Sequence, residues 1–223
     1  MTAVYLIRHP QTTWNVESRY QGRLDAPLSP QGRREARLLA AALKNHRFDA
    51  IYTSPLQRAQ ALASEVAEAS GSPVEVDERL TEIAMGPWEG LYRQEIEDAY
   101  PELYSRWYTD PESVRFPGAE SLEDVMSRTC SSMADIFAGH PAAHIAVVSH
   151  SAVIRVLVIA ALGLGLRSFH MLHMSNAGIT TICGTEAPGR LLTLNSLESV
   201  YGSPVQSALA HDCVSWKQWR PTL

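Results

Sequence analysis

The order of short apolar runs and helical patterns along the chain most constrains its fold. Residues 3–8 and 143–148 are runs of apolar and β-branched residues, which is typical of buried parallel strands. Residues 49–53 form a further run of this kind, and runs near 178–183 and 190–195 are expected to complete the sheet. Helical patterns separate the first three runs. We therefore expect an α/β fold: a single three-layer domain with a mostly parallel central sheet and helices on both faces.

Serine residues mark the predicted starts of several helices. Ser29-Pro30 and Ser54-Pro55 each place a hydroxyl group at the N-cap and proline at the first helical position, where an N–H is not needed. A third helix is expected to begin near Ser121, with Asp124 at the capping-box position. An apolar helix is expected to follow Ser151. These helices supply the connections that parallel strands require.

Two segments depart from this alternation. Residues 84–120 are rich in Trp, Tyr, Pro and Gly, so we expect an insertion of short helices and long loops over one end of the sheet. Residues from about 198 to 223 show no clear periodicity, although Trp216 and Trp219 suggest that this tail docks somewhere. At 223 residues, the chain is expected to form one domain over its whole length, 1–223.

Composition and charge exclude several classes of protein. Hydrophobic residues make up 45% of the chain and charged residues 19%, which is typical of globular proteins and argues against disorder. The formal net charge of -5 argues against a nucleic-acid partner. The longest apolar run, 153–166, is interrupted by Arg155, so no membrane span is expected.

The N-terminus and the cysteines indicate a cytoplasmic protein. The first residues lead directly into the apolar run 3–8 without a basic segment, so no secretory signal is expected. Cys130, Cys183 and Cys213 match neither a disulfide framework nor a zinc site, and they suit a reducing compartment. The oligomeric state stays open, with a homodimer as one alternative.

Cationic and imidazole side chains follow three of the predicted strands where each strand ends. Arg8 and His9 follow the first strand, Arg58 comes shortly after the second, and His150 follows the third. Ligands of α/β sheets bind at the carboxyl ends of the strands, so these side chains are expected to converge. Arginine forks match phosphate oxygens, and histidine can attack phosphorus. The residues alone therefore predict an anion pocket that handles a phosphoryl group.

Each of these residues also has an ordinary structural interpretation. A histidine at a strand end, such as His9 or His150, usually forms hydrogen bonds with nearby backbone groups. Arg58, near the start of a helix, is more often a solvated charge. Their shared position at the strand ends of one predicted sheet favours the functional interpretation.

A series of short motifs follows in a fixed order from about residue 3 to 184. The first is Leu6-Ile7-Arg8-His9-Pro10-Gln11-Thr12, followed by Asn15. The others are 20–29, Gly32, 52–59, 80–83 with 86–90, 117–121 and 147–150. In this order and spacing they resemble the signature of the histidine phosphatase superfamily, also called phosphoglycerate mutase-like.

The resemblance implies a reaction in which a histidine is phosphorylated. By position, His9 is the implied nucleophile that attacks phosphorus. Glu82 is the implied proton donor to the leaving alkoxide and afterwards the base that activates water. One ring nitrogen of His9 must then be unprotonated, and we predict that a backbone carbonyl accepts the N–H of the other.

The resemblance also implies which residues bind the substrate. Four side chains are expected to surround the phosphoryl oxygens: Arg8, Arg58, His150 and Asn15. Gln21 and Gly22 lie in a loop that resembles the family's substrate-side loop. Neither a metal nor a cofactor is implied, because the cationic side chains do the work that magnesium does elsewhere.

One position departs from the family pattern. The glycine that usually follows the nucleophile is Pro10 here. Proline fixes φ at about −65° and has no N–H. If the pocket needs that N–H, activity falls, whereas proline only stiffens the loop if glycine serves there for its small size. We expect an active enzyme because the other matched site residues are intact.

Three functions are compatible with these motifs. The preferred one is a phosphatase of small phosphorylated metabolites, resembling broad-specificity and α-ribazole-phosphate phosphatases. Phosphoglycerate mutase-type phosphoryl transfer is the first alternative, although only 67 residues (83–149) separate Glu82 from His150 and mutases generally carry a longer insertion. A phosphate-binding regulatory module with weak activity is the second alternative, and Pro10 is its only support.

Three groups of residues could lie near the rest of the substrate or pack in the core. Aromatic residues of the insertion could stack on a leaving group, but helix packing is the more common role: Tyr92, Tyr100, Tyr104, Trp107 and Tyr108. Four arginines could bind a carboxylate or second phosphate, but each is expected to be a surface charge: Arg19, Arg23, Arg93 and Arg106. His170 and His173 are expected on a core-facing helix.

Overall fold

Six strands form one mixed sheet in the computed structural model, which describes residues 1–201. They are β1 (Thr2–Arg8), β2 (Ala50–Thr53), β3 (Val74–Val76), β4 (His144–Ser149), β5 (Ile179–Gly184) and β6 (Arg190–Ser196). The strand order is β3-β2-β4-β1-β5-β6. Strands β1 to β4 are parallel, and β5 and β6 add two antiparallel strands beside β1. The predicted mostly parallel sheet is confirmed.

Helices cover both faces of this sheet. They are α1 (Thr13–Val16), α2 (Pro30–Leu43), α3 (Gln57–Ser70), α4 (Arg93–Ala99), α5 (Pro101–Thr109), α6 (Leu122–Gly139), α7 (Ser151–Leu162) and α8 (Glu198–Tyr201). Alternate side chains of β1 point to opposite faces. Leu6 belongs to the core shared with α6 and α7, and Ile7 belongs to the core shared with α2 and α3. The predicted three-layer α/β domain is therefore confirmed.

Two of the serine caps are confirmed. The Ser29 hydroxyl accepts a hydrogen bond from Gly32 N at 2.9 Å, with Pro30 at the first position of α2. At the start of α6, Ser121 and Asp124 form the predicted capping box. Satisfied N–H groups at these positions fix where both helices begin.

The predicted cap at Ser54 is wrong, because α3 begins at Gln57 rather than at Pro55. The Ser54 hydroxyl lies 2.7 Å from His150 Nε2 and is engaged there. Asp25 takes over the cap, since its Oδ2 accepts from Gln57 N at 2.7 Å. The start of α3 therefore depends on a residue more than thirty positions earlier in the chain.

The predicted insertion, 84–120, consists of α4, α5 and two 3₁₀ turns, Gly86–Trp88 and Pro111–Ser113. Its aromatic residues pack on one another: the rings of Trp88 and Phe116 lie 4.8 Å apart, and those of Trp107 and Phe116 lie 5.3 Å apart. These buried rings belong to the same core as α6 and α7. The insertion is thus anchored to one face of the sheet.

Two features of the sheet are absent from the sequence-based expectations. Strand β3 has three residues, all exposed, and is too short for a periodic pattern to reveal it. The antiparallel direction of β5 and β6 is set by their pairing with β1 and with each other, which local sequence does not encode.

The C-terminal tail is described only at its start. Residues 198–201 form α8, which lies beside α2. Trp216, Trp219 and Cys213, on which the sequence-based expectations for the tail and the cysteines partly rest, lie outside the described residues. Among residues 1–201, no helix is both long and apolar enough to cross a lipid bilayer.

Replacing Gly32 should destabilise the loop that follows β1. A Cβ at this position would lie 1.8 Å from Gln11 O, a backbone atom that cannot easily move. We expect Gly32→Ala to lower the free energy of unfolding by about 2–4 kcal/mol, measured by urea denaturation. Gly139→Ala is the matched control, since nothing lies within 4 Å of its Cβ position. It should leave stability unchanged or raise it by up to about 1 kcal/mol; equal effects would contradict the steric argument.

Candidate active site

The parallel pairing of β1 with β4 places two histidines side by side. Arg8 pairs in register with Ser149, and His9 N donates to Ser149 O at 2.9 Å just beyond the ends of the strands. The ring centroids of His9 and His150 lie 5.2 Å apart. Both residues are buried, with 2% and 0% exposure. The histidines thus converge as their positions at the strand ends predict.

His9 is held in one tautomer by the backbone. Its Nδ1 lies 2.8 Å from Pro10 O, and since a carbonyl can only accept, Nδ1 carries the proton. Burial lowers the pKa of His9 well below its ordinary value, and the charges of Arg8 and Arg58 lower it further. The ring is therefore neutral at neutral pH, with a lone pair on Nε2. This confirms the predicted backbone carbonyl acceptor.

Backbone carbonyls hold the two arginines beside His9. Arg8 Nη1 donates to Met174 O at 2.6 Å. Arg58 Nη2 donates to Gly22 O at 2.7 Å, and Arg58 Nη1 donates to Asp25 Oδ1 at 2.9 Å. Burial lowers the pKa of Arg8 to about 10, so its guanidinium stays charged at neutral pH. The two cations are thereby fixed beside His9.

Several buried donors of this cluster meet no acceptor within residues 1–201. They are Nε of Arg8 and Arg58, together with Nδ1 of His150. Ser54 Oγ accepts from Leu56 N at 3.2 Å, and when its O–H donates to His150 Nε2, the proton of the neutral ring lies on Nδ1. Burial lowers the pKa of His150, so the ring is neutral at neutral pH. Unpaired buried donors at one place favour binding of an anion.

The Glu82 side chain lies next to the first turn of α7. Its Oε1 accepts from Ile83 N at 2.9 Å, and its Oε2 accepts a longer bond from Ala152 N at 3.4 Å. Glu82 is half-buried and lines the same cavity as His9. A carboxyl group in this place can exchange a proton with a ligand bound at His9.

Arg128 of α6 fixes the segment that carries Glu82. Its Nη1 donates to Arg79 O at 2.6 Å, and its Nη2 donates to Glu82 O at 3.3 Å. Its Nε donates to Glu120 Oε1 at 2.8 Å, and the other oxygen of Glu120 accepts from Ala84 N at 3.0 Å. The backbone on both sides of Glu82 is therefore anchored to one ion pair.

Asn15 and Gln21 present amide groups to the cavity. Asn15 Oδ1 accepts from Thr12 N at 3.0 Å and from Asn176 Nδ2 at 3.2 Å. Gln21 Oε1 accepts from Thr12 Oγ1 at 3.0 Å. Because both amide oxygens are engaged, the amide N–H groups remain as donors for a ligand.

Gly22 is required by the backbone. It has φ +51°, and a Cβ there would lie 2.2 Å from Glu89 Oε1. Glu89 Oε1 accepts a hydrogen bond from Met85 N at 2.8 Å, so moving it away from the new Cβ would break that bond. Only glycine therefore fits where the chain turns to offer its carbonyl to Arg58.

A cavity of about 420 Å³ opens on this cluster. Seven of the eight predicted site residues line it: Arg8, His9, Asn15, Gln21, Gly22, Arg58 and Glu82. The eighth, His150, is not among the lining residues, and its ring lies beside that of His9. The volume suits a small molecule rather than a polymer.

Sequence reasoning missed part of the lining. Arg155 of α7 lines the cavity, and its only sequence signal is that it interrupts an apolar run. His170 is not simply core-facing, since it lines the cavity while its Nε2 bonds Trp107 O at 2.7 Å. Trp14 and Tyr20 also line the cavity without having been singled out, as do Arg19 and Arg93, which were expected at the surface. Trp107 and Tyr108, two of the aromatic residues considered above for stacking or packing, line it as well.

Comparison with known proteins agrees with this geometry. Residues 4–197 match the model of the histidine phosphatase superfamily (branch 1). The chain is 37% identical over 195 residues to phosphoserine phosphatase 1 of Hydrogenobacter thermophilus, covering 87% of this chain and 92% of that protein.

Solved structures give the same result. The mycobacterial glucosyl-3-phosphoglycerate phosphatase has a TM-score of 0.79 and 33% identity, covering 87% of this chain and 98% of its own. Phosphoserine phosphatase from Entamoeba histolytica, in complex with 3-phosphoglyceric acid, has a TM-score of 0.80 and 29% identity, covering 90% and 100%. The chain therefore belongs to the histidine phosphatase superfamily, branch 1, and its phosphatase relatives support a hydrolase acting on phosphomonoesters.

Proposed function

We propose that this chain hydrolyses small phosphomonoesters through a phosphohistidine on His9, without a metal ion. The observation that carries the proposal is a buried, neutral histidine flanked by two arginines whose Nε atoms meet no acceptor in the described part of the chain. The named activities of the relatives, on phosphoserine and on glucosyl-3-phosphoglycerate, support small phosphorylated metabolites as substrates.

The first step transfers the phosphoryl group to the enzyme. The lone pair on His9 Nε2 attacks phosphorus, the N–P bond forms and the ester P–O bond breaks. Glu82, protonated at this stage, gives its proton to the leaving oxygen, so the product is a neutral alcohol. The Nδ1–H of His9 keeps its hydrogen bond to Pro10 O, which stabilises the positive charge that develops on the ring.

The second step regenerates the enzyme. Glu82, now a carboxylate, takes a proton from water while the water oxygen attacks phosphorus. The N–P bond breaks and its electron pair returns to His9 Nε2, which restores the neutral ring. Phosphate leaves, and Glu82 is again protonated for the next cycle.

Fixed cations and donors stabilise the phosphoryl oxygens in both steps. Arg8, Arg58, the Nδ1–H of His150 and the Asn15 amide are the groups proposed for this role. Their positions are held by contacts to the backbone and to other side chains, so little reorganisation is needed as charge develops. Two guanidinium groups supply the positive charge that a metal ion provides in other phosphoryl-transfer enzymes.

Pro10 is compatible with turnover. At this position the backbone carbonyl, which proline retains, orients His9. The proline ring is buried and stiffens the loop that carries the nucleophile. This geometry favours an enzyme over a module that binds phosphate without turnover.

Replacing His9 should abolish turnover. We expect His9→Ala to lower kcat for p-nitrophenyl phosphate by roughly 10³-fold or more, because the N–P bond cannot form. The control is His173→Ala, an exposed histidine that should behave as wild type. Wild-type turnover should persist in excess EDTA, and acid-labile ³²P should stay on the protein after rapid denaturation.

Other outcomes of this experiment identify the alternatives. Phosphate release that requires metal, or that survives in His9→Ala, contradicts the proposed chemistry. Phosphoenzyme that passes its label to an added phosphoglycerate rather than to water indicates the mutase-type reaction. Phosphate binding with no labelled protein indicates the regulatory module.

Replacing Glu82 should separate the two steps. Glu82→Gln cannot protonate a leaving group or activate water, so kcat should fall by about 10²- to 10⁴-fold. p-Nitrophenolate leaves without protonation, so this ester should still give a stopped-flow burst of one product per site before slow turnover. An alkyl phosphate should give no burst. Glu78→Gln, an exposed carboxyl of the same segment, is the control; steady turnover near the wild-type rate in Glu82→Gln would reject the assignment.

Arg128 should act as a positioning residue for Glu82. Arg128→Met removes its bonds to the carbonyls of Arg79 and Glu82, so the carboxyl loses its fixed place. We expect kcat to fall about 10-fold with little change in KM, since misplacing a catalytic group slows the chemical step. Arg115→Met, which breaks an exposed ion pair with Glu123, should change neither constant. A loss of thermal stability with normal kcat would show a merely structural role.

A further inference from the structure

The cavity is lined by five arginines, and four of them are already engaged. Their partners are Met174 O for Arg8, Asp25 for Arg58, Tyr92 for Arg19 and Glu97 for Arg93. The fifth, Arg155, forms no hydrogen bond or ion pair with any residue of the range 1–201, and its Nε is buried without an acceptor. Its guanidinium instead lies over the ring of Phe169, 4.9 Å from the centroid.

Arg155 is an unusual choice for its place in the fold. It lies on α7, whose neighbouring residues Val153, Ile154 and Val156 are all buried in the core. A half-buried cation without a partner costs more free energy than an apolar residue in the same place. Ser151, one turn earlier on the same helix face, also lines the cavity. The Arg155 side chain therefore borders the same cavity as His9 and Glu82.

Arg155 and the phosphoryl site occupy different parts of the cavity. His9 lies against His150 and the loop after β1, whereas Arg155 lies over Phe169, whose ring is 5.3 Å from that of Trp107 in the insertion. Glu82 meets α7 between these two places, because its Oε2 accepts from Ala152 N at 3.4 Å, one turn before Arg155. In the proposed function Glu82 protonates the leaving oxygen. Arg155 thus lies on the leaving-group side of that carboxyl.

We propose that Arg155 binds a carboxylate carried by the leaving group, so that the preferred substrates are small phosphomonoesters of hydroxy acids. This inference rests on the proposed function and adds the class of substrate to it. A guanidinium fork matches the two coplanar oxygens of a carboxylate. A single positive charge, already close to Glu82, balances one negative charge better than the two of a second phosphate.

The test compares two esters that differ at one carbon. 3-Phosphoglycerate carries a carboxylate where sn-glycerol 3-phosphate carries a hydroxymethyl group. We expect Arg155→Met to lower kcat/KM for 3-phosphoglycerate about 10- to 100-fold, the range for losing a hydrogen-bonded charge, and to change that for glycerol 3-phosphate by less than about 3-fold. Arg155→Lys should restore part of the loss.

Arg93→Met is the matched control. Arg93 lines the same cavity, but its side chain is 65% exposed and paired with Glu97, so its loss should affect both esters alike. If Arg155→Met lowers both esters by the same factor, or neither, the carboxylate subsite is wrong. If Arg155→Met lowers kcat/KM for an ester that carries a second phosphate but not for 3-phosphoglycerate, the site binds phosphate and the proposal is also wrong.

A binding measurement separates this inference from the proposed function. Calorimetric titration of His9→Ala with the same two esters does not depend on turnover. Weaker binding of 3-phosphoglycerate alone, when Arg155→Met is added, supports the carboxylate subsite even if wild type hydrolyses neither ester. In that case the proposed hydrolase fails while the subsite stands. Equal binding of both esters with and without Arg155 overturns the subsite while leaving the hydrolase to its own tests.

Discussion

The register between β1 and β4 is the constraint on which the rest of the site depends. Arg8 and Ser149 end their strands side by side, so the residues that follow, His9 and His150, must emerge next to each other. Each strand is then continued by an element that turns away: a proline loop after His9 and α7 after His150. A slip of one residue would turn every side chain of a strand to the other face. Burial of both sheet faces makes such a slip costly.

Burying positive charge away from water costs free energy, and hydrogen bonds to the backbone offset part of that cost. Arg8 and Arg58 are desolvated, yet carbonyls of Met174, Leu24 and Gly22 accept from their guanidinium groups. Asp25 forms an ion pair with Arg58 at 2.9 Å from a partly exposed position. Carbonyl dipoles stabilise the cations without neutralising them. The field of the two arginines therefore remains available to a phosphoryl group.

Local signals in the sequence predicted those parts of the site that strand ends create. His9, His150 and Arg58 follow apolar runs, and motif resemblance added Glu82 and the substrate-side loop. What could not be predicted depends on contacts between distant segments. The cap of α3 is supplied by Asp25 because Ser54 is engaged with His150, and no local pattern encodes that exchange. Sequence reasoning did not identify Arg155 as a site residue for a related reason. In the sequence, a charge within an apolar helix only interrupts the pattern, and the cavity beside it is visible only in the fold.

The carbonyl contacts of Arg8 and Arg58 have a consequence for how such an enzyme can change. Phosphoryl chemistry rests here on main-chain atoms, which substitutions elsewhere hardly alter. The opposite wall, from the insertion and α7, presents side chains to the cavity, among them Tyr108, Trp107 and Arg155. Under the proposed function, mutations on that wall would change which leaving group is accepted while the groups around phosphorus keep their places. The fold thus lets the substrate change during evolution while the groups around phosphorus stay the same.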